Sequence, residues 1–255
     1  MSWIDDGIGW VSINRPEAGN AARPSSMKAL CDALDAHIES RDVMAIVITG
    51  EGRHFLAGGD FGFLEDIASG RNTEAGQQIY QWFQGAARRL FRCAKPTLAA
   101  IAGGAITVGC ELTLMCDVRI ADRTAFFHES WIELGLIPPL GGAVMLPHIV
   151  GLPLAKEMML ESRRIDADEA LRYGLINELV DDPQIMRARA QERAKAMAAR
   201  PAATFARAKE LIHRGLESSM DDEWAAGVAA QTDLLGSDMF REALTTKKRS
   251  LDKRR

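Results

Sequence analysis

Two short apolar runs, each ending at glycine, constrain this chain more than any other feature. Ala45-Ile46-Val47-Ile48-Thr49 stops at Gly50, and Thr97-Leu98-Ala99-Ala100-Ile101-Ala102 stops at Gly103. Runs without polar alternation suit strands covered on both faces, as in a parallel sheet. Between them Ile79, Trp82, Phe83, Ala86 and Leu90 recur at helical spacing, and Pro96 ends the segment. Strands joined through helices give an α/β fold with right-handed crossovers.

The flanking segments extend this pattern. Ile8, Trp10, Val11 and Ile13 predict an edge or hairpin strand that Asn14-Arg15-Pro16 stops. Met27, Leu30, Cys31, Leu34 and Ile38 predict a helix started by Pro24 and Ser25. A short helix over 109–115 and strands at 117–121 and 125–128 follow. From about 153 the pattern is helical, with one strand-like piece at Leu175–Val180. Helical signals cover 185–200, 202–216, 221–235 and 237–246, with Gly215 and Gly236 as expected stops. Arg200-Pro201 suggests a division into residues 1–200 and a helical region, 201–255.

Composition narrows the class. The 255 residues carry 31 Lys+Arg against 35 Asp+Glu, and 47% are hydrophobic. That usage fits a globular chain, and its mild acidity argues against a general nucleic-acid binder. Four cysteines (Cys31, Cys93, Cys110, Cys116) form no C-x-x-C pair, so neither a disulfide framework nor a metal site is expected. The N-terminus, MSWIDDGIGW, has no basic segment ahead of an apolar one, which points to a cytoplasmic protein. Residues 134–155 lack charge over a membrane-spanning length, but Pro138, Pro139, Pro147 and Pro153 break any spanning helix. Two turns around one short buried helix are expected there.

The chemistry is expected in two glycine-bearing loops, each following a buried strand. The first is His54-Phe55-Leu56-Ala57-Gly58-Gly59-Asp60; the second runs from Gly103-Gly104-Ala105 through Ile106-Thr107-Val108-Gly109-Cys110-Glu111. Two such loops at one sheet end can direct two N–H groups at a single developing oxyanion. Glycine-rich turns also serve simply for tight turns and close packing.

Together, and with Asn14-Arg15-Pro16-Glu17, Asn20-Ala21, Cys116-Asp117, Leu134-Gly135-Leu136-Ile137-Pro138, Gly141-Gly142, Leu146-Pro147, Glu169-Ala170 and Gly174-Leu175, they resemble the enoyl-CoA hydratase/isomerase (crotonase) superfamily along nearly the whole chain. The resemblance implies a crotonase-like spiral of ββα units with a C-terminal helical oligomerisation region that builds a homotrimer or a hexamer. It implies an acyl-CoA thioester as substrate, with CoA arriving as part of it and no separate cofactor or metal. Carried over by position, the oxyanion donors are the N–H groups of Gly59 and Val108, where the family more often has glycine at the second. Ala21, Ala57, Gly58, Asp60 and Pro138 fall on substrate-binding segments, and Asp60 also suits a helix cap.

Glu111 falls on the first of the two hydratase glutamates. The second is expected 20 residues later, where Trp131 stands. An indole does not exchange protons at neutral pH, so a two-carboxylate hydration scheme is incomplete, and Trp131 reads as a wall of the acyl site. Pro139 occupies the place of the attacking aspartate in the related dehalogenases. Strand alternation puts Phe127 and Glu129 on one face, Phe126 and His128 on the other, and brings either Glu129 or His128 near the pocket. The activity expected is hydration of an unsaturated acyl-CoA. Isomerisation, decarboxylation and thioester hydrolysis remain alternatives, as does a silent CoA- or RNA-binding role. Residues 241–255 carry a net charge of +5 while the remaining 240 sum to −9. Lys247 and Lys248 are the expected contacts for CoA phosphates.

Overall fold

Among the described residues, 1–252 of a computed structural model, nine strands form two sheets. Strands β1 (Ser2–Asp5) and β2 (Ile8–Ile13) make a hairpin. Its two turn residues, Asp6 and Gly7, both have positive φ, 46° and 77°, the backbone that matches a hairpin's twist and favours Asp-Gly. Then β3 (Ala45–Gly50), β4 (Thr97–Ile101), β6 (Val118–Asp122) and β9 (Glu178–Val180) follow β2 in parallel, giving the order β1-β2-β3-β4-β6-β9. The second sheet holds β5 (Gly104–Ile106), β7 (Phe126–His128) and β8 (Arg164–Asp166). Successive turns therefore lay one strand in each sheet, β4 then β5, β6 then β7, which is the expected spiral of ββα units.

Every residue of β3 and β4 is buried, because both faces are covered. On one face Ile46, Ile48, Ala99 and Ile101 join the main core with α1 (Pro24–Glu39). On the other, Val47, Leu98 and Ile120 pack on Met186, Ala190 and Ala194 of α9 (Pro183–Ala198). The remaining helices are α2 (Phe61–Ala68), α3 (Ala75–Gln78), α4 (Gln84–Arg92), α5 (Val108–Leu114), α6 (Gly142–Val150), α7 (Leu152–Leu160), α8 (Ala167–Arg172), α10 (Ala202–Leu235) and α11 (Asp238–Asp252). A π turn, Ile79–Phe83, joins α3 to α4. All four cysteines are buried free thiols.

Two sequence expectations need correction. Gly215 does not end a helix: α10 runs unbroken from Ala202 to Leu235. One interior glycine costs a helix about 1 kcal/mol, less than burying Trp224 and Leu235 on the same helix contributes. The uncharged stretch at 134–155 holds α6 and the start of α7, separated at Gly151 with φ of 80°, rather than one helix. No helix among the described residues is long and apolar enough to cross a membrane.

The C-terminal helices fold back on the core. Lys209 pairs with Asp117 at 2.9 Å, and the Trp224 indole N–H donates to the Leu140 carbonyl at 2.9 Å. Gln84 donates to the carbonyls of Pro139 and Trp224 at 2.6 and 2.9 Å. Trp224, Leu235, Phe240 and Leu244 belong to the main core. Within the basic terminus, Lys253, Arg254 and Arg255 lie outside the described residues.

Candidate active site

The two glycine-bearing loops meet. Leu56 N–H donates to the Gly104 carbonyl at 3.0 Å, and Ile106 N–H to the Leu56 carbonyl at 2.9 Å. On its other side the first loop pairs with the segment before α1: Ala22 N–H donates to Gly58 O at 2.7 Å, and Asp60 N–H to Ala22 O at 2.8 Å. His54 adds a side-chain tie, its Nδ1 accepting the Gly104 N–H at 3.0 Å. Burial, with Arg53 and Arg164 nearby, holds the His54 imidazole below its usual pKa, so the accepting nitrogen stays unprotonated at neutral pH.

Gly58 and Thr107 fix how closely the loops approach. Gly58 has φ of 96°, and a Cβ there would lie 2.7 Å from Thr107 Oγ1. Thr107 itself has φ of 46° and ψ of −106°, an outlier for a β-branched residue that costs about 1–3 kcal/mol. It is held by its N–H donating to His128 O at 2.8 Å and its carbonyl accepting Glu111 N–H at 3.0 Å. Val108 follows at the first position of α5, where no intrahelical acceptor exists for its N–H. Gly59 likewise donates no backbone hydrogen bond among the described residues.

Gly59 and Val108 line one narrow slot. Its walls come from distant segments. Phe63, Leu64 and Ile67 belong to α2, and Ile79 and Phe83 to the π turn. Phe63 and Phe83 stack at 5.7 Å. Trp131, Pro139 and the α10 residues Gln231 and Leu235 complete the lining. The aromatic walls suit a planar unsaturated group.

Glu111, one turn after Val108, is fully buried and does not line the slot. Its Oε2 accepts N–H bonds from Leu140 at 2.8 Å and Gly142 at 2.9 Å, and its Oε1 accepts the Trp131 indole N–H at 3.2 Å. A Cβ on Gly142 would stand 2.9 Å from Glu111 Cγ, so glycine there permits the approach. Trp131 thus lies between the carboxyl group and the slot, where the sequence pattern calls for a second glutamate.

Glu129 shares a strand face with Phe127, as alternation predicts, and this face is buried, while Phe126 and His128 on the other face are half-buried. Neither Glu129 oxygen has a hydrogen bond of full geometry. Burial pushes its carboxyl up to about 8, offset in part by the Cys110 thiol and the Trp131 indole close by. His128 points elsewhere, its Nε2 against Ser162 at 2.9 Å. Neither side chain lines the slot.

The other expected residues are more dispersed. Asp60 caps α2 through Gly62 and Phe63 N–H, at 3.0 and 3.3 Å, and pairs with Arg15 at 3.1 Å. Ala21, Ala57 and Pro138 are half-buried outside the slot, and Pro139 rather than Pro138 lines it. Lys247 and Lys248 on α11 pair with Glu133 and Glu65. Lys248 borders a groove against α2 that also carries Arg71, Arg241 and Arg249, opposed by Glu65 and Asp252. Sequence reasoning missed Thr107, Phe63, Phe83 and Gln231. The spacing of Phe63, Leu64 and Ile67 carries a helical signal; nothing local marks Gln231.

Comparison with known proteins identifies the family. The sequence profile described as Enoyl-CoA hydratase/isomerase matches residues 4–252. A short-chain-enoyl-CoA hydratase of Clostridium acetobutylicum is 32% identical, covering 92% of this chain and 88% of that one. A probable enoyl-CoA hydratase of Rhodobacter capsulatus is 35% identical over 94% of this chain and 91% of its own. Among solved structures, an enoyl-CoA hydratase/isomerase from Mycobacterium paratuberculosis superposes with a TM-score of 0.89 at 27% identity, covering 96% and 97%. The chain belongs to the enoyl-CoA hydratase/isomerase family of enzymes.

Proposed function

We propose that this enzyme acts on acyl-CoA thioesters by stabilising an enolate, and that its reaction is hydration of an unsaturated acyl-CoA. The observation that carries the reading is that Gly59 and Val108, one from each glycine-bearing loop, line the same apolar slot. The thioester oxygen accepts both N–H groups, and charge developing there in the transition state strengthens both bonds. The acyl chain enters the slot, with Trp131 as a wall in place of the second carboxylate. Hydratase names among relatives at 32–35% identity support the same choice.

Glu111 is the acid/base. Its Oε2 is engaged by Leu140 and Gly142, so proton transfer is assigned to Oε1 and requires the Trp131 indole, bound there at 3.2 Å, to move aside and open Glu111 to the slot. Ala21, Ala57, Gly58 and Asp60 shape the approach of CoA to the loops. The groove carrying Arg71, Arg241, Lys248 and Arg249, with Lys247 beside it, meets the phosphates. CoA comes with the substrate, and no metal or further cofactor takes part. A trimer or dimer of trimers is the expected assembly, which light scattering reads directly.

The single proton-transfer group also favours a second reading, double-bond migration, because one carboxyl can remove a proton and return it at a new carbon. Incubation with crotonyl-CoA and with a 3-enoyl-CoA separates the two by product, with Glu111→Gln as control. Hydration gives a 3-hydroxyacyl thioester and loss of the conjugated absorbance; migration converts the 3-enoyl to the 2-enoyl thioester. Binding of both thioesters without turnover sinks the enzymatic reading, and full activity in Glu111→Gln removes the assigned base.

A further inference from the structure

Glu129 is a buried carboxyl group that the chemistry assigned to Glu111 leaves unused. Its side chain is 1% exposed, and neither oxygen has a hydrogen bond of full geometry among the described residues. A buried polar group in that condition is unfavourable, so packing alone does not account for a glutamate there.

Its surroundings supply a reason. Glu129 precedes the short helical turn Ser130–Leu134, which carries Trp131, and the Trp131 indole and the Cys110 thiol lie close to its carboxyl group. Burial pushes the Cys110 thiol well above its usual pKa, so it stays protonated and neutral. The indole has a single N–H, bound to Glu111 Oε1 at 3.2 Å. That is longer than the ~2.9–3.0 Å usual for N–H···O. One donor thus stands near two buried carboxyl groups, held loosely by the first and close to the second.

Proton transfer at Oε1 requires the indole to leave it. A departing N–H with no acceptor becomes an unsatisfied buried donor, and that penalty falls on the open, reactive arrangement. A carboxyl oxygen of Glu129 removes the penalty. The Trp131 backbone stays in place, its carbonyl accepting Leu136 N–H at 3.1 Å, so the exchange is a side-chain rotation.

We propose that Glu129 is a positioning residue: it takes the Trp131 indole N–H when Glu111 gives it up, and so opens Glu111 Oε1 to the slot. This deepens the assignment of Glu111 as the acid/base and rests on it.

Turnover of crotonyl-CoA and of a 3-enoyl-CoA at pH 7 gives the first test. At that pH burial keeps Glu129 protonated, its carboxyl pushed up to about 8. Glutamine reproduces the neutral acceptor oxygen, and leucine removes it. Glu129→Leu lowers kcat about tenfold, as expected when one buried donor is left unsatisfied in the reactive arrangement, with KM changed less than about threefold. Glu129→Gln keeps kcat within about threefold of the wild type. Trp131→Phe removes the donor and keeps an aromatic wall, and in that background Glu129→Leu leaves kcat unchanged. A purely structural role for Glu129 would slow both backgrounds alike. Circular dichroism checks that each variant folds.

The second test needs no turnover. In Glu111→Gln the amide oxygen meets the N–H groups of Leu140 and Gly142, which turns its NH2 group toward the indole. Two donors then face each other. The crystal structure of this variant is expected to show the indole Nε1 within about 3.2 Å of a Glu129 oxygen.

An indole N–H placed anywhere but on Glu129 in that structure overturns the proposal. So does wild-type kcat in a folded Glu129→Leu, or an equal loss from Glu129→Leu in the Trp131→Phe background. Should Glu129→Leu fail to fold, the Glu111→Gln structure decides. Full activity in Glu111→Gln defeats the acid/base assignment and this proposal with it. An indole that moves onto Glu129 in a protein that turns over no enoyl-CoA supports the exchange and defeats the enzymatic reading alone.

Discussion

Replacing Glu129 with glutamine removes a titrating group from the interior beside the candidate site. The side chain is 1% exposed, and burial pushes its carboxyl up to about 8 from the usual 4.5. It is therefore protonated at pH 7 in the folded protein and ionised in the unfolded chain. Folding binds the proton more tightly, so the stability this group contributes is complete below about pH 4.5 and is lost as pH rises toward 8. At about 1.4 kcal/mol per pH unit, the loss across that window is ~3–5 kcal/mol. Glutamine has nearly the same shape and stays neutral throughout.

Urea unfolding at pH 5, 6, 7 and 8.5, followed by circular dichroism at one protein concentration, reads the difference. Near pH 5 wild type and Glu129→Gln differ little; by pH 8.5 the variant is more stable by about 3 kcal/mol or more. His54 and His128, both held below their usual pKa mainly by burial, titrate in the same window. They are present in both proteins and cancel in the difference. Parallel pH profiles, or a variant destabilised equally at every pH, refute the reasoning.

Gly58→Ala forces a Cβ to 2.7 Å from Thr107 Oγ1 at a φ of 96°; we expect thermal melts to show a loss of about 1–2 kcal/mol and turnover to fall with it. His54→Phe leaves the Gly104 N–H without its acceptor and costs about 1–2 kcal/mol at pH 7. The depressed pKa of His54 means the tie is kept above the ordinary histidine range and lost on acidification, so denaturant unfolding shows the wild type converging on the variant at low pH. Lys209→Met strips the buried cation from Asp117, which keeps its bonds from Thr97 N–H and Oγ1 at 2.8 and 3.0 Å; melting shows a loss of about 2–4 kcal/mol.

The features legible in the sequence were those written locally. Uninterrupted apolar runs marked β3 and β4 because burial on both faces removes any need for polar alternation. Asp60 announced a helix start through its position ahead of α2, and it does accept two N–H bonds there. Alternation grouped Phe127 with Glu129 on one face; only the fold shows that this face is the buried one. Features made by distant segments left no local trace. Three-residue β8 carries a single buried apolar side chain, Ile165, too little for periodicity. The positive φ of Thr107 runs against its residue type and persists only because His128 and Glu111 hold its peptide groups. Gln231 enters the slot because α10 folds back across the core, a packing choice that the glycine at 215 seemed to oppose. The position of Trp131 was readable, but its hydrogen bond to Glu111 required the fold.

The oxyanion assignment rests on two N–H groups, and one can be deleted as a single atom. Incorporating the α-hydroxy analogue of valine at position 108 turns that amide into an ester and keeps the side chain. The deleted N–H has no intrahelical partner. The Thr107 carbonyl becomes a weaker acceptor for Glu111 N–H, which costs folding stability about 1 kcal/mol or less. With the preferred enoyl-CoA as substrate, the account predicts kcat/KM lower by about 10²–10³, the usual loss for one oxyanion donor, in a protein that remains folded. An ester variant whose kcat/KM stays within about threefold of the wild type contradicts it.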